Sequence, residues 1–169
     1  MTPTGRVGWG GRMAASDDRA AAWGQRLIEI HDWLREELAR VREELATGPS
    51  RLETDVRAHC AAFCSTVHQH HAGEDGMVFP ALAEHAPELR GTLAKLAEDH
   101  LLIADVLTRL DALLTTTSPD AGADGLAHVR AEVDGLAAIL ESHLAYEERT
   151  IIEALDALPP DALPVPGRG

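Results

Sequence analysis

His143-Leu144-Ala145-Tyr146-Glu147-Glu148 sits inside an unbroken run, residues 121–158, whose apolar positions Leu126, Val133, Leu136, Leu140 and Ile151 recur at helical spacing. In an α-helix a spacing of four puts His143 and Glu147 one turn apart on one face, so the segment offers an imidazole and a carboxylate to one small volume. The chain holds a near copy. His70-His71-Ala72-Gly73-Glu74-Asp75, followed by Phe79-Pro80, has the same form, His and Glu four apart with a second acid directly after.

Working outward, the same periodicity marks three more helices. Helix 1 is expected over residues 20–46, with Trp23, Leu27, Leu34, Leu38 and Val41 on the side of His31, and stops at Thr47-Gly48-Pro49. Helix 2 is expected over 50–83, opened by a Ser50/Glu53 capping box, with Pro80 bending its last turn. Pro87 opens helix 3, which runs through Leu93, Leu96, His100, Ile103 and Leu107 to about residue 114. Residues 115–120 form a turn-rich linker before helix 4. No segment shows the alternation or β-branched enrichment of strands, so the fold class is all-α. Short connections favour an antiparallel up-down-up-down four-helix bundle over residues 19–158, with residues 1–18 and 159–169 as flexible tails.

A depth check brings the histidines together. At about 1.5 Å per residue, His31, His70, His100 and His143 all fall about 16 to 22 Å from one end of their helices, which is one layer. Four histidines and two carboxylates buried in one layer need hydrogen bonds or cations, because unpaired they are strongly destabilising. The candidate metal donors are therefore His31, His70, Glu74, His100, His143 and Glu147, a donor set suited to iron, manganese or zinc.

Spacing separates these from their neighbours. His59 lies about 16 Å along the axis from His70, and His128 about 22 Å from His143, too far for the same ions. His68 points away from His70 and reads as solvated, while His85 sits at the turn between helices 2 and 3. His71, turned about 100° from His70, is an additional candidate ligand, a donor behind the ligands, or a boundary residue. Arg35 lies one turn after His31; it either stands beside the site, neutralising carboxylates and steering anions, or snorkels to solvent. Tyr146, the only tyrosine, can donate a hydrogen bond near the metals. Cys60 and Cys64 read as small packing residues.

Composition bounds the rest. At 169 residues the chain is one domain, and 28 acidic against 15 basic side chains give a net charge of −13, which repels nucleic acid and anionic lipid. No apolar run reaches the roughly 20 residues of a membrane span, and the N-terminus carries no signal-peptide pattern. With two cysteines outside any disulfide framework, the protein is expected in the cytoplasm. Monomer and homodimer both stand open.

An isolated histidine on helix 1, His70 to Pro80 on helix 2, Asp99-His100 on helix 3 and His143 to Glu148 on helix 4 together resemble the hemerythrin-like proteins, specifically the bacterial HHE cation-binding domains, over roughly residues 24–157. The resemblance implies two iron ions, with His31, His70, His100 and His143 as terminal ligands and Glu74 and Glu147 bridging beside an oxo or hydroxo group. It implies a small ligand: O2, NO, hydrogen peroxide or an azide-like anion. One departure is Ala104, where oxygen carriers place a second helix 3 histidine; another is Glu147-Glu148, where they place an Asp one residue further on. Both point away from reversible oxygen carriage and leave iron binding untouched. The expected function is binding, sensing or reaction with such ligands, including catalase-like peroxide decomposition. The alternatives are a di-iron oxidase or oxygenase acting on a small organic substrate, and an iron-storing or iron-sensing module.

Overall fold

The computed structural model describes residues 11–47, 54–118 and 122–163, with side chains from Trp23 onward. Helix α1 spans Gly11–Thr47, α2 Thr54–Gly73, α3 Phe79–His85, α4 Arg90–Thr116 and α5 Gly122–Asp156, with a π-helical turn at Glu74–Val78 and a 3-10 turn at Pro87–Leu89. Among the described residues there is no strand. Because α2, the π turn and α3 are continuous, four long rods result: α1 packs on α2 and α5, and α4 packs on the same two, closing a four-helix bundle.

Helix boundaries follow local chemistry. Ala86 adopts φ −131° and ψ 70° because the ring of the following proline disfavours helical backbone, so α3 ends there. Gly122 sits at φ +64°, open to glycine and strained for other residues, and starts α5. Arg57 donates to the carbonyls of Leu114 and Thr117, and Arg130 to those of Leu45 and Ala46, satisfying the exposed ends of α4 and α1 from neighbouring helices. The Ser50/Glu53 capping box lies outside the described residues.

Three expectations need correction. Helix α1 begins at Gly11, so residues 11–18 are helical rather than tail; the alanines that follow are strong helix formers, and each added residue gains a bond once the helix is nucleated. At the other end, residues 159–163 turn back onto the bundle, with Ala162 N–H bonded to the Pro159 carbonyl at 2.9 Å and Leu163 buried. Pro80 distorts the helix upstream rather than in its last turn. Its ring conflicts with the carbonyl four residues back, at Gly76, and Gly76 lies within the widened π turn.

The interior is split. One apolar cluster joins Leu34 to Leu45, Cys60 to Val67, Ile103 to Leu114 and Leu126 to Leu144. A smaller one gathers Leu27, Phe79, Leu82, Leu93, Leu96, Ile151, Leu155, Leu158 and Leu163. Among the described residues His31, His71, Glu74, His100, His143 and Glu147 are the buried polar ones, and they fall at the junction of the two clusters, with His143 beside Leu144 at the edge of the larger one.

Candidate metal centre

Each rod supplies part of the polar layer. The donor atoms of His31, His70, Glu74 and Glu147 lie within 4.8 Å of one another, as do those of His71, His100 and His143. Glu74 spans the two groups: Oε1 is 3.1 Å from His70 Nε2 and 3.9 Å from His31 Nε2, while Oε2 is 3.5 Å from His100 Nε2. Glu147 does likewise, its Oε2 lying 3.6 Å from both His31 Nε2 and His143 Nε2. Two donors about 2.1 Å from one ion at angles of 90 to 110° stand roughly 3.0 to 3.4 Å apart. The nitrogens of the His31–His70 and His100–His143 pairs are each 3.1 Å apart.

Tautomers sharpen this. His31 Nδ1 bonds Glu148 at 2.9 Å and His100 Nδ1 bonds Asp75 at 2.9 Å. A carboxylate accepts only, so each Nδ1 carries the hydrogen and each Nε2 turns a bare lone pair inward. The acid that follows each glutamate thus holds a histidine of a neighbouring rod, a role the repeated His-x-x-x-Glu-acid pattern carried without revealing. Asp99 stands 3.8 Å from His143 Nδ1, beyond hydrogen-bond reach, and that nitrogen is buried without a partner.

Several atoms are orphaned. Both oxygens of Glu74, both of Glu147 and His71 Nε2 are buried without a hydrogen-bond partner, an arrangement that strongly favours an ion over an empty layer. Burial pushes His70 and His143 down to about 3, their neighbouring imidazoles adding to the effect, and lowers His71 as well. Burial, then repulsion from adjacent acids, raises Glu74 and Glu147. Neutral imidazoles are the form that binds metal. The donor set therefore fits transition-metal cations.

His71 lies among these groups, its donor atom within 4.8 Å of those of His100 and His143. Its ring stacks on His100 at 4.1 Å and 9°, and Phe79 stacks on His100 at 5.3 Å and 18°. The π turn makes the second contact possible. Five residues after Glu74, a regular α-helix would turn Phe79 about 140° away; the bond from Phe79 N–H to the Glu74 carbonyl closes that interval as one wide turn.

Two candidates fall elsewhere. Arg35 bonds Asp32 at 3.1 Å, Glu141 at 3.4 Å and Glu148 at 2.9 Å, so it stands behind Glu148 on the outside of the layer. Burial opposes the charge on Glu148, yet its bonds from Arg35 and His31 hold it below the usual carboxylate value. Tyr146 packs with the smaller cluster, its ring flanked by Lys95 and Arg149 rather than by the donors. His59 pairs with Glu37 and Glu44, each at 2.9 Å, and His68 is exposed. Burial pushes the Cys60 and Cys64 thiols up to about 11 and about 12, leaving them inert.

Among the described residues no helix is long and apolar enough to cross a membrane. No curated protein and no solved structure matches the chain. A family model, the hemerythrin HHE cation binding domain, matches residues 25–155, an interval that contains every donor described above. By that match, over most of its length, the chain belongs to the hemerythrin HHE cation-binding domain family.

Proposed function

We propose that the chain is a cytoplasmic non-haem di-iron protein that binds, senses or reacts with dioxygen, nitric oxide or hydrogen peroxide. The observation that carries this reading is the pair of donor groups joined by Glu74 and Glu147, whose four carboxylate oxygens are buried without a hydrogen-bond partner. In this reading His31 and His70 would hold one ion and His71, His100 and His143 the other, with Glu74 and Glu147 as the carboxylate donors. Iron would supply redox and Lewis-acid chemistry toward small oxygen or nitrogen ligands. The protein supplies the rest. Glu148 and Asp75 fix the imidazole tautomers, Phe79 and His71 hold the His100 ring, and the apolar clusters on either side exclude water.

The antiparallel up-down-up-down arrangement is supported by partners on α1 and α5: Gly24 meets Asp156, Arg35 meets Glu141 and Arg42 meets Asp134, so numbers rise on one helix as they fall on the other. His71 changes the meaning of Ala104. The imidazole missing from α4 is replaced by one from α2, and the two groups still differ by one histidine. The poorer group lies beside a cavity of about 300 Å³ that His70 and Glu74 help to line. That cavity also favours a second reading, an oxidase or oxygenase acting on a small organic molecule.

The test is to mix anaerobically reduced, iron-loaded protein with oxygen, nitric oxide and peroxide separately in a stopped-flow spectrometer. A rapid absorbance change with at least one ligand is expected. Iron-loaded protein inert to all three rejects the reading in favour of storage.

A further inference from the structure

The cavity beside His70 and Glu74 is far larger than a diatomic requires. Its 300 Å³ lies at the lower end of pockets that bury organic ligands, with room for about ten to fifteen non-hydrogen atoms. The walls are apolar: Trp23, Leu27 and Ile30 from α1, Met77 and Val78 from the π turn, and Leu163 from the returning chain. Ile30 and Met77 are 44% and 50% exposed, so the mouth is open and its rim wets apolar surface.

Gly73 makes the space. Its backbone is ordinary helix at φ −66° and ψ −41°, and an added Cβ would meet only Met77 Cε at 3.9 Å. Glycine in a helix interior costs about 1 kcal/mol against alanine. Neither backbone nor packing requires it, and its missing side chain leaves the wall next to Glu74 hollow.

The rim carries one charge without a carboxylate. Arg26 lines the cavity with its guanidinium over the Trp23 ring at 5.2 Å. Among the described residues it makes no ion pair and no hydrogen bond, whereas Arg35, Arg40, Arg42 and Arg109 pair with carboxylates and Arg57, Arg130 and Arg149 bond backbone carbonyls. In a chain of net charge −13, an unpaired guanidinium at an apolar mouth is suited to an anionic ligand end.

We propose that this cavity binds a medium-chain monocarboxylate, its apolar body against Leu27, Ile30 and Met77, its carboxylate on Arg26, and its far end against His70 and Glu74. The proposal rests on the metal reading only for that last contact. It selects an amphipathic organic ligand over a bare diatomic as the occupant of the cavity.

The test titrates octanoate and octan-1-ol into the full-length, iron-loaded protein by calorimetry, with metal content measured on each sample. For a ligand of this size, octanoate should bind with Kd on the order of a millimolar or tighter. Octan-1-ol should bind about fivefold more weakly, the most an exposed ion pair usually gives. Arg26→Gln should erase that preference. Gly73→Leu and Ile30→Trp, which fill the cavity from opposite walls, should abolish octanoate binding while iron content stays at the wild-type value. Octanoate that does not bind, or that binds the filled variants as well as the wild type, overturns the proposal. Octanoate bound by protein that takes up no iron on loading removes the metal reading and leaves the pocket standing.

Discussion

Between Leu34 and Leu45 on α1, and between Ile103 and Leu114 on α4, the interior is closed by apolar side chains packed against one another. One turn away from Leu34, the layer of His31, His71, Glu74, His100, His143 and Glu147 is as deeply buried, yet several of its polar atoms have no partner within the protein. The first region is stable as it stands. The second needs something added, because a carboxylate in a dry layer loses far more hydration than its neighbours return. Equal burial with unequal satisfaction is what marks the second region as a site.

The sharpest way to break this contrast is to remove the metal. Chelation should lower stability by more than about 4 kcal/mol, the value for a ligand present at a thousandfold excess over its Kd, read as a fall in melting temperature that added iron reverses. An unchanged melting temperature would mean that the layer stands without an ion.

Leu136→Ala tests the other region. Leu136 is fully buried in the larger cluster, and its truncation should cost about 3 kcal/mol with metal content unaltered. Loss of metal in this variant would show that the two regions are not separable.

In the metal-free protein, pH should expose the same contrast. Burial holds His70 and His143 near about 3, below the free value of 6.5, so below pH 6.5 the unfolded chain takes up protons that the folded imidazoles refuse, and stability falls as pH falls. Glu74 and Glu147 are raised above 4.5, so the folded state keeps protons that the unfolded chain releases, and stability falls as pH rises toward about 8, where Glu147 titrates. With histidines in the majority, stability of the metal-free protein should peak near pH 6.5, and metal loading should remove the alkaline decline. A metal-free profile flat from pH 6.5 to 8 contradicts the assignment of the carboxylates.

A smaller effect concerns how α1 is fixed to α5. Gly24 N–H donates to Asp156 Oδ1 at 2.9 Å, and a Cβ at Gly24 would come within 2.5 Å of the same oxygen. Gly24→Ala gains about 1 kcal/mol of helix propensity and loses a charge-assisted bond worth about 2 kcal/mol. The net loss should be about 1 kcal/mol in thermal or urea unfolding.

The helices and the gathering of six donors were legible because helical period fixes both direction and depth. His31, His70, His100 and His143 needed only spacings of four and a rise per residue. His71 was left open, because a residue 100° from the inward direction lies at a boundary until packing decides; the fold buries its ring against His100. The π turn was hidden as well, since Pro80 announces a distortion without saying on which side it falls. Arg35 stood between two readings for a related reason. One turn from His31 on α1 it shares that histidine's face, but Glu148 occupies the space between them and draws the guanidinium outward. The return of Leu163 to the core carries no periodic signal at all.

The most direct test of the central claim is elemental analysis of iron per chain in the wild type, His71→Ala and His68→Ala. Two irons per chain are expected in the wild type and in His68→Ala, whose side chain is exposed, with fewer than two in His71→Ala. Wild-type protein that binds no iron, or His68→Ala losing as much as His71→Ala, would contradict the account.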